Sequence, residues 1–385
     1  MKQVRRYIAY LFAPAMLVLA LVMPASATTT LQLENGNTLS FADGSIDLAT
    51  GSGELFDIAL SEDGVVVLTA EYLFIDASGS FGETDWYVHD LVVKQAELAE
   101  ENIFIGEMEI RDIAMGMLVT NAVAEMQDYV TSDSFVLLRN VGMTTDEALI
   151  SIDRIQTLPF AFAELSPGQI IPTSAGIDID RMTVMPLDGP ATPDPFIDEL
   201  ERRGITEFEI DFDLSTTAQI EGGVLGVTYR TASGVKDLSA IDLGLAFTID
   251  SDVYARLLPT LMDPDDGGAA LLAVAGAVSF NGARIVLDDS GLIEILFAAA
   301  ASEQGVSEGE VRSMSRMMLA GGLQQTFPEN VSRLLPPIEA MLQQGGTLTI
   351  SSVPPSPVPL SSAIGFAMFP DLAIDQLGIT ITHMP

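Results

Sequence analysis

Beyond residue 37, short apolar runs alternate with polar positions and are cut by turn residues. Thr38-Leu39-Ser40-Phe41, Ser45-Ile46-Asp47-Leu48 and Leu55 to Leu60 are separated by Asp43-Gly44 and Gly51-Ser52-Gly53. Val65 to Ile75 follows Asp63-Gly64, and Trp86 to Val93 and Ile103 to Val119 continue the series. Alternation with a period of two, bounded by glycine and aspartate, predicts strands, here as a meander or an extended sheet.

One short phrase recurs. Val88-His89-Asp90-Leu91, Ile110-Arg111-Asp112-Ile113, Ile152-Asp153-Arg154-Ile155 and Ile179-Asp180-Arg181-Met182 each set two polar residues between apolar ones. A regular strand alternates at every residue, so the polar pair predicts a bulge or a switch of the buried face. The spacing of the copies is irregular and does not make a solenoid.

Met185 to Phe196 carries Pro186, Pro190, Pro193 and Pro195, which marks a linker over 186–195 between a β-rich region, 28–185, and a mixed region, 196–385. Asp194 is placed to cap a helix from Pro195 to Arg203, with Gly204 beyond its end. The strand that follows puts Phe208, Ile210, Phe212 and Leu214 on one face and Glu207, Glu209, Asp211 and Asp213 on the other. Val224 to Tyr229, Ile241 to Ile249 and Ala277 to Asp288 read as further strands. Ser251 is the expected cap of a helix through Met262, and Ser290 starts another through Ala301. Ser307 and Glu310 form a capping box ahead of a helix with Val311, Met314 and Met318 on one side. Pro336-Pro337 should break or kink the helix from Asn330 to Leu342. Val353 to Pro359 reads as extended polyproline. The expected class is α+β, β-dominated: an extended antiparallel sheet or β-groove with a helical C-terminal portion.

Composition adds an address and several exclusions. Lys2, Arg5 and Arg6 precede an apolar run, Ile8 to Met23, and Ala25-Ser26-Ala27 supplies a small-residue cleavage pattern. Residues 1–27 therefore read as a signal peptide, and the expected location is periplasmic or secreted. No later segment has the length and apolarity of a membrane span. The chain has 54 acidic and 17 basic side chains, two histidines and no cysteine, for a net charge of −37. That balance opposes nucleic acid and anionic lipid headgroups, and it fits adaptation to a salty medium. Without cysteine there are no disulfides, thiol nucleophiles or cysteine-ligated metals.

Candidate chemistry is sparse. Asp263, Asp265 and Asp266 begin something like a calcium loop, but Gly267 and Val274 fall where ligands belong, so a solvated turn is the plainer reading. Ser78-Gly79-Ser80-Phe81-Gly82 misses the nucleophile elbow by its first glycine, and His89 reads as a surface histidine. Phosphate-loop and dinucleotide fingerprints are absent from the sequence. No cofactor, no resident metal and no enzyme activity are expected. Met314, Met317, Met318 and Leu323 could form an adaptable apolar binding surface, but packing of that stripe on a neighbouring sheet is the commoner outcome.

The C-terminal half, through Asp288-Asp289-Ser290-Gly291-Leu292, the helix capped at Ser307, Gly345-Gly346-Thr347-Leu348-Thr349-Ile350 and Pro354-Pro355-Ser356-Pro357-Val358-Pro359, resembles uncharacterised exported proteobacterial proteins. The strand phrases of the first half loosely resemble AsmA-like envelope proteins, whose β-grooves are associated with lipid transport. That resemblance implies a non-catalytic cell-envelope protein binding a lipid or other apolar ligand. The alternative is an envelope protein-protein interaction or structural module without a small ligand. An uncovered inner face of the sheet would favour the first, and an exposed contiguous apolar patch the second.

Overall fold

A computed structural model of the chain describes residues 29–32, 37–47, 49–81, 83–99, 102–116, 126–145, 148–187, 195–261 and 275–385. The signal peptide 1–27, most of the linker 186–195 with Asp194, and Asp263, Asp265 and Asp266 lie outside the described residues. Strand makes up 55% of the structure and the helices are mostly C-terminal, so the class is α+β and β-dominated, built on open antiparallel sheet. The chain divides into two compact units. Unit 1 holds the chain up to Ala163 with Ser174–Leu187; unit 2 holds Glu164–Thr173 with the chain from residue 188.

Unit 1 runs through β1 (Thr29–Gln32), β2 (Thr38–Phe41), β3 (Asp43–Ile46), β4 (Gly53–Glu62), β5 (Val65–Ser78), β6 (Tyr87–Leu98), β7 (Ile103–Ile113), β8 (Val130–Thr144) and β9 (Ala148–Thr157). β10 (Ala161–Ser166) leads into β11 (Gln169–Pro186). β2 and β3 pair successive halves of β4, and β4 to β9 follow as antiparallel neighbours. The later part of β11 then pairs β9. One face buries the core: Leu39, Leu55, Leu60, Trp86, Val88 and Met115 are almost wholly removed from water. Trp86 is fixed by its indole N–H, which donates to Thr50 O at 2.9 Å, and by the edge of Phe81 at 4.9 Å.

The polar pairs in the strand phrases are bulges. Ile110 and Ile113, like Val88 and Leu91, are all buried in the same core although three residues apart. An extra residue, His89 against Asp112, returns both flanks to one face. A second row of irregularity crosses β4 to β9 and β11. Asp57, Gln95, Asn140 and Arg181, on β4, β6, β8 and β11, have φ of 50°, 52°, 53° and 48°. The ladder skips them and their opposite numbers Glu71, Gly106 and Asp153 on β5, β7 and β9. Burial changes phase there: on β5 from Leu68 and Ala70 to Leu73 and Ile75, on β6 from Leu91 and Val93 to Ala96 and Leu98. These seven strands take their extra residue at the same row, so register stays in step across it. Gly106 is required at this row, because a Cβ there would stand 2.8 Å from the Cβ of Asn140.

Unit 2 is an antiparallel meander of β12 (Phe208–Glu221), β13 (Val224–Val235), β14 (Ser239–Asp250), β15 (Ser279–Asp289), β16 (Gly346–Ser352) and β18 (Ile379–Met384). β17 (Val358–Pro359), inside the expected polyproline segment, adds two residues against β15. Its helices are α1 (Pro195–Arg202), α2 (Ser251–Leu261), α3 (Leu292–Gln304), α4 (Glu308–Thr326), α5 (Val331–Gln344), α6 (Ala363–Met368) and α7 (Pro370–Gln376). Leu200 of α1, Leu238 and Ile295 of α3 form one small core. Phe297 and Ala301 of α3 with Val311 of α4 form another, so the Phe297–Ala301 run does pack closely.

Three local expectations are corrected. Asp250, not Ser251, caps α2 by accepting from Val253 N at 3.0 Å, while the Ser251 hydroxyl donates to Gly223 O. α3 starts at Leu292 behind Gly291 at its N-cap, not at Ser290, and Asp289 accepts from Ile293 N at 2.8 Å. Of the break or kink expected at Pro336 and Pro337, the break does not occur: α5 runs on to Gln344. The capping box is as expected, with Glu310 N donating to Ser307 Oγ at 3.3 Å and Ser307 N to Glu310 Oε2 at 2.9 Å.

Candidate functional site

The outer face of unit 1, opposite the core, carries an apolar depression of about 380 Å³ over β7, β8, β9 and β11. Register explains it. Phe104 lies opposite Gly142, Gly142 opposite Ser151, and Ser151 opposite Thr183. Gly142 has no side chain, and its neighbours in the row are small, so they make a floor. Phe104 forms one wall; Leu149 and Met185, paired with each other one step along, form the other. These three are 39%, 41% and 42% exposed, large apolar side chains open to solvent around a hollow. The volume falls within the ~300–1,000 Å³ of small-ligand sites.

Phe104 also borders a second depression of about 400 Å³, lined by Asp57, Glu71, Gln95 and Glu97. Phe104 is the register partner of Glu97, so one aromatic ring separates an apolar hollow from an acidic one. The row of left-handed residues runs through the acidic hollow at Asp57 and Gln95. Among the described residues no three His, Asp or Glu side chains are grouped to hold a metal ion.

The residues singled out from sequence fall elsewhere. Met314, Met317 and Met318 lie on the open side of α4, the last two 64% and 78% exposed, so the expected packing of this stripe on a sheet is corrected. The inward stripe is Val311, Ser315, Leu319 and Leu323, at i, i+4 spacing, and the methionines lie off it. Leu323 is half-buried on that stripe and does not join the methionines in one surface. Arg312 sits over the Phe297 ring at 4.4 Å, and Arg316 pairs with Glu339 at 2.6 Å, locking α4 to α3 and α5. In the acidic face of β12, Glu209 is paired with Lys236 at 2.9 Å.

Sequence reasoning missed one cluster. At the far end of the β5–β6 hairpin, Ser78 Oγ lies 2.9 Å from His89 Nε2, and His89 Nδ1 lies 3.7 Å from Asp112 Oδ1. The Tyr87 ring lies beside the imidazole, centroids 5.0 Å apart and planes tilted by 54°. Burial and the Asp112 charge both raise the Tyr87 pKa, burial the more. The paired polar residues at 89–90 and 111–112 were the sequence signal; their meeting with Ser78 depends on hairpin register.

Residues 231–384, from β13 through β18, match a protein family described as "Uncharacterized protein". Comparison with curated proteins gives no match.

Proposed function

We propose that this chain is an exported cell-envelope protein that holds an amphiphile, a lipid or a molecule of similar build, on the outer face of unit 1. The carrying observation is the glycine-floored hollow between Phe104, Leu149 and Met185. Burying those side chains under an acyl chain removes apolar surface from water at about 25 cal/mol per Å². The hollow itself holds no titratable side chain and performs binding without chemistry. Its acidic neighbour sets the head group: Asp57, Glu71 and Glu97 repel an anionic head beside Phe104 and favour a neutral or cationic one. Residues 1–27 supply the export reading.

Titrating the protein with dodecyltrimethylammonium and with dodecyl sulfate below their micelle concentrations tests this. The expected result is tighter binding of the cation, loss of both in Phe104→Glu, and loss of the preference alone in Glu71→Gln/Glu97→Gln. Equal binding by wild type and Phe104→Glu contradicts it. A second reading, docking of an envelope protein without a small ligand, draws on the exposed Met317 and Met318 of α4. It predicts that Met317→Lys/Met318→Lys abolishes co-purification of a partner while amphiphile binding is nil.

A further inference from the structure

We propose that Ser78, His89 and Asp112 form a nucleophile, base and orienting carboxylate that transfers an acyl group from a neutral carboxylic ester to water. This second site on unit 1 is separate from the amphiphile hollow: on β7 the hollow begins at Phe104 and the cluster ends at Asp112, about eight strand residues or roughly 26 Å away.

Geometry carries the inference. The two imidazole nitrogens are engaged by different partners, Nε2 by a hydroxyl and Nδ1 by a carboxylate. That is the arrangement in which the carboxylate holds the proton on Nδ1 and leaves Nε2 to accept from serine. The 3.7 Å separation at Asp112 is longer than a hydrogen bond, and such contacts commonly tighten only when substrate is present. Backbone devices set all three residues. His89 occupies a bulge that shifts the β5–β6 register between Asp76 and Ala77. Asp112 is held at φ 51°, in the left-handed region that aspartate visits more readily than most residues. Ser78 ends β5 and is followed by Gly79 at φ 81°, where a Cβ would stand 2.1 Å from Asp85 O. Only glycine can turn the chain there. Tyr87, tilted against the ring at 5.0 Å, restricts the imidazole further.

The step balances with water as the sole co-reactant. Ser78 Oγ bonds to the ester carbonyl carbon while His89 Nε2 takes the hydroxyl proton. The carbon–alkoxide bond breaks and the alcohol leaves with that proton. Water then attacks the acyl-serine, with His89 again passing the proton, and releases the acid and free Ser78. A net charge of −37 repels anionic esters, so the substrate is neutral.

The test treats the purified full chain with a fluorophosphonate probe, maps the labelled residue by mass spectrometry, and follows hydrolysis of p-nitrophenyl acetate. The expected result is a label on Ser78, absent in Ser78→Ala, and slowed about 100-fold or more in His89→Gln. Asp112→Asn should lower kcat with KM unchanged, the signature of a positioning residue. All three residues are outside the core, so circular dichroism of the variants should match wild type. An unlabelled Ser78 in the folded protein, or labelling of His89→Gln at the wild-type rate, overturns the proposal.

Discussion

Asn140 and Gly106 face one another in the row that crosses unit 1, and their identities are coupled. Asn140 takes the left-handed conformation that asparagine tolerates, and Gly106 makes room for its Cβ. Gly106→Ala should therefore cost about 1–3 kcal/mol, read as a lower denaturation midpoint with an unchanged slope. Gln95 holds the same conformation without asparagine's tolerance, and nothing in its sequence neighbourhood announces it, whereas Arg181 lies in the Ile179-Asp-Arg-Met182 phrase whose polar pair predicts the irregularity. The Ile110-Arg-Asp-Ile113 and Val88-His-Asp-Leu91 phrases did announce their bulges, because an unbroken polar pair cannot fit a period of two. A different residue-scale effect sits in unit 2. Hydrogen bonds from Arg202 and Arg203 pull the pKa of the buried Glu199 carboxyl from 4.5 to about 2. A folded-state pKa below the unfolded one stabilises fully above about pH 4.5, and the effect is lost as pH falls toward 2. Stability curves of wild type and Glu199→Gln should thus be separated at neutral pH and converge between those values. Parallel curves would show that the arginine pair does not act on folding.

Among elements, α4 shows how a correct helix can be given the wrong inward face. Its capping box was legible from Ser307 and Glu310, but the methionines suggested a face other than the stripe that includes the polar Ser315. Val311 is buried against α3, and Met317 and Met318 stand in water. Val311→Ala should cost about 1–3 kcal/mol, whereas Met317→Gln and Met318→Gln should each stay within about 0.5 kcal/mol in thermal or chemical unfolding. Large losses from the methionine variants would mean that they are covered in solution. The β5–β6 hairpin teaches a related lesson. His89 and Ser78 are eleven residues apart, and only the hairpin register, shifted by one bulge, brings Oγ to Nε2. Single-strand pattern carries no information on that pairing. The same holds for the amphiphile hollow, whose floor and walls come from four strands that meet only through the sheet.

For the molecule as a whole, the sequence conveyed the class, the strand series and the excess of acid, and it left the site to be found. In the proposed reading the charge acts through position: three carboxylates border the ring of Phe104, next to the hollow. The central claim is that unit 1 carries an amphiphile with a neutral or cationic head, and native mass spectrometry of gently purified protein, followed by organic extraction, tests it most directly. The account predicts a stoichiometric adduct, recovered in the organic phase and missing from Phe104→Glu. A bare mass for the wild-type protein under the same gentle conditions would contradict it.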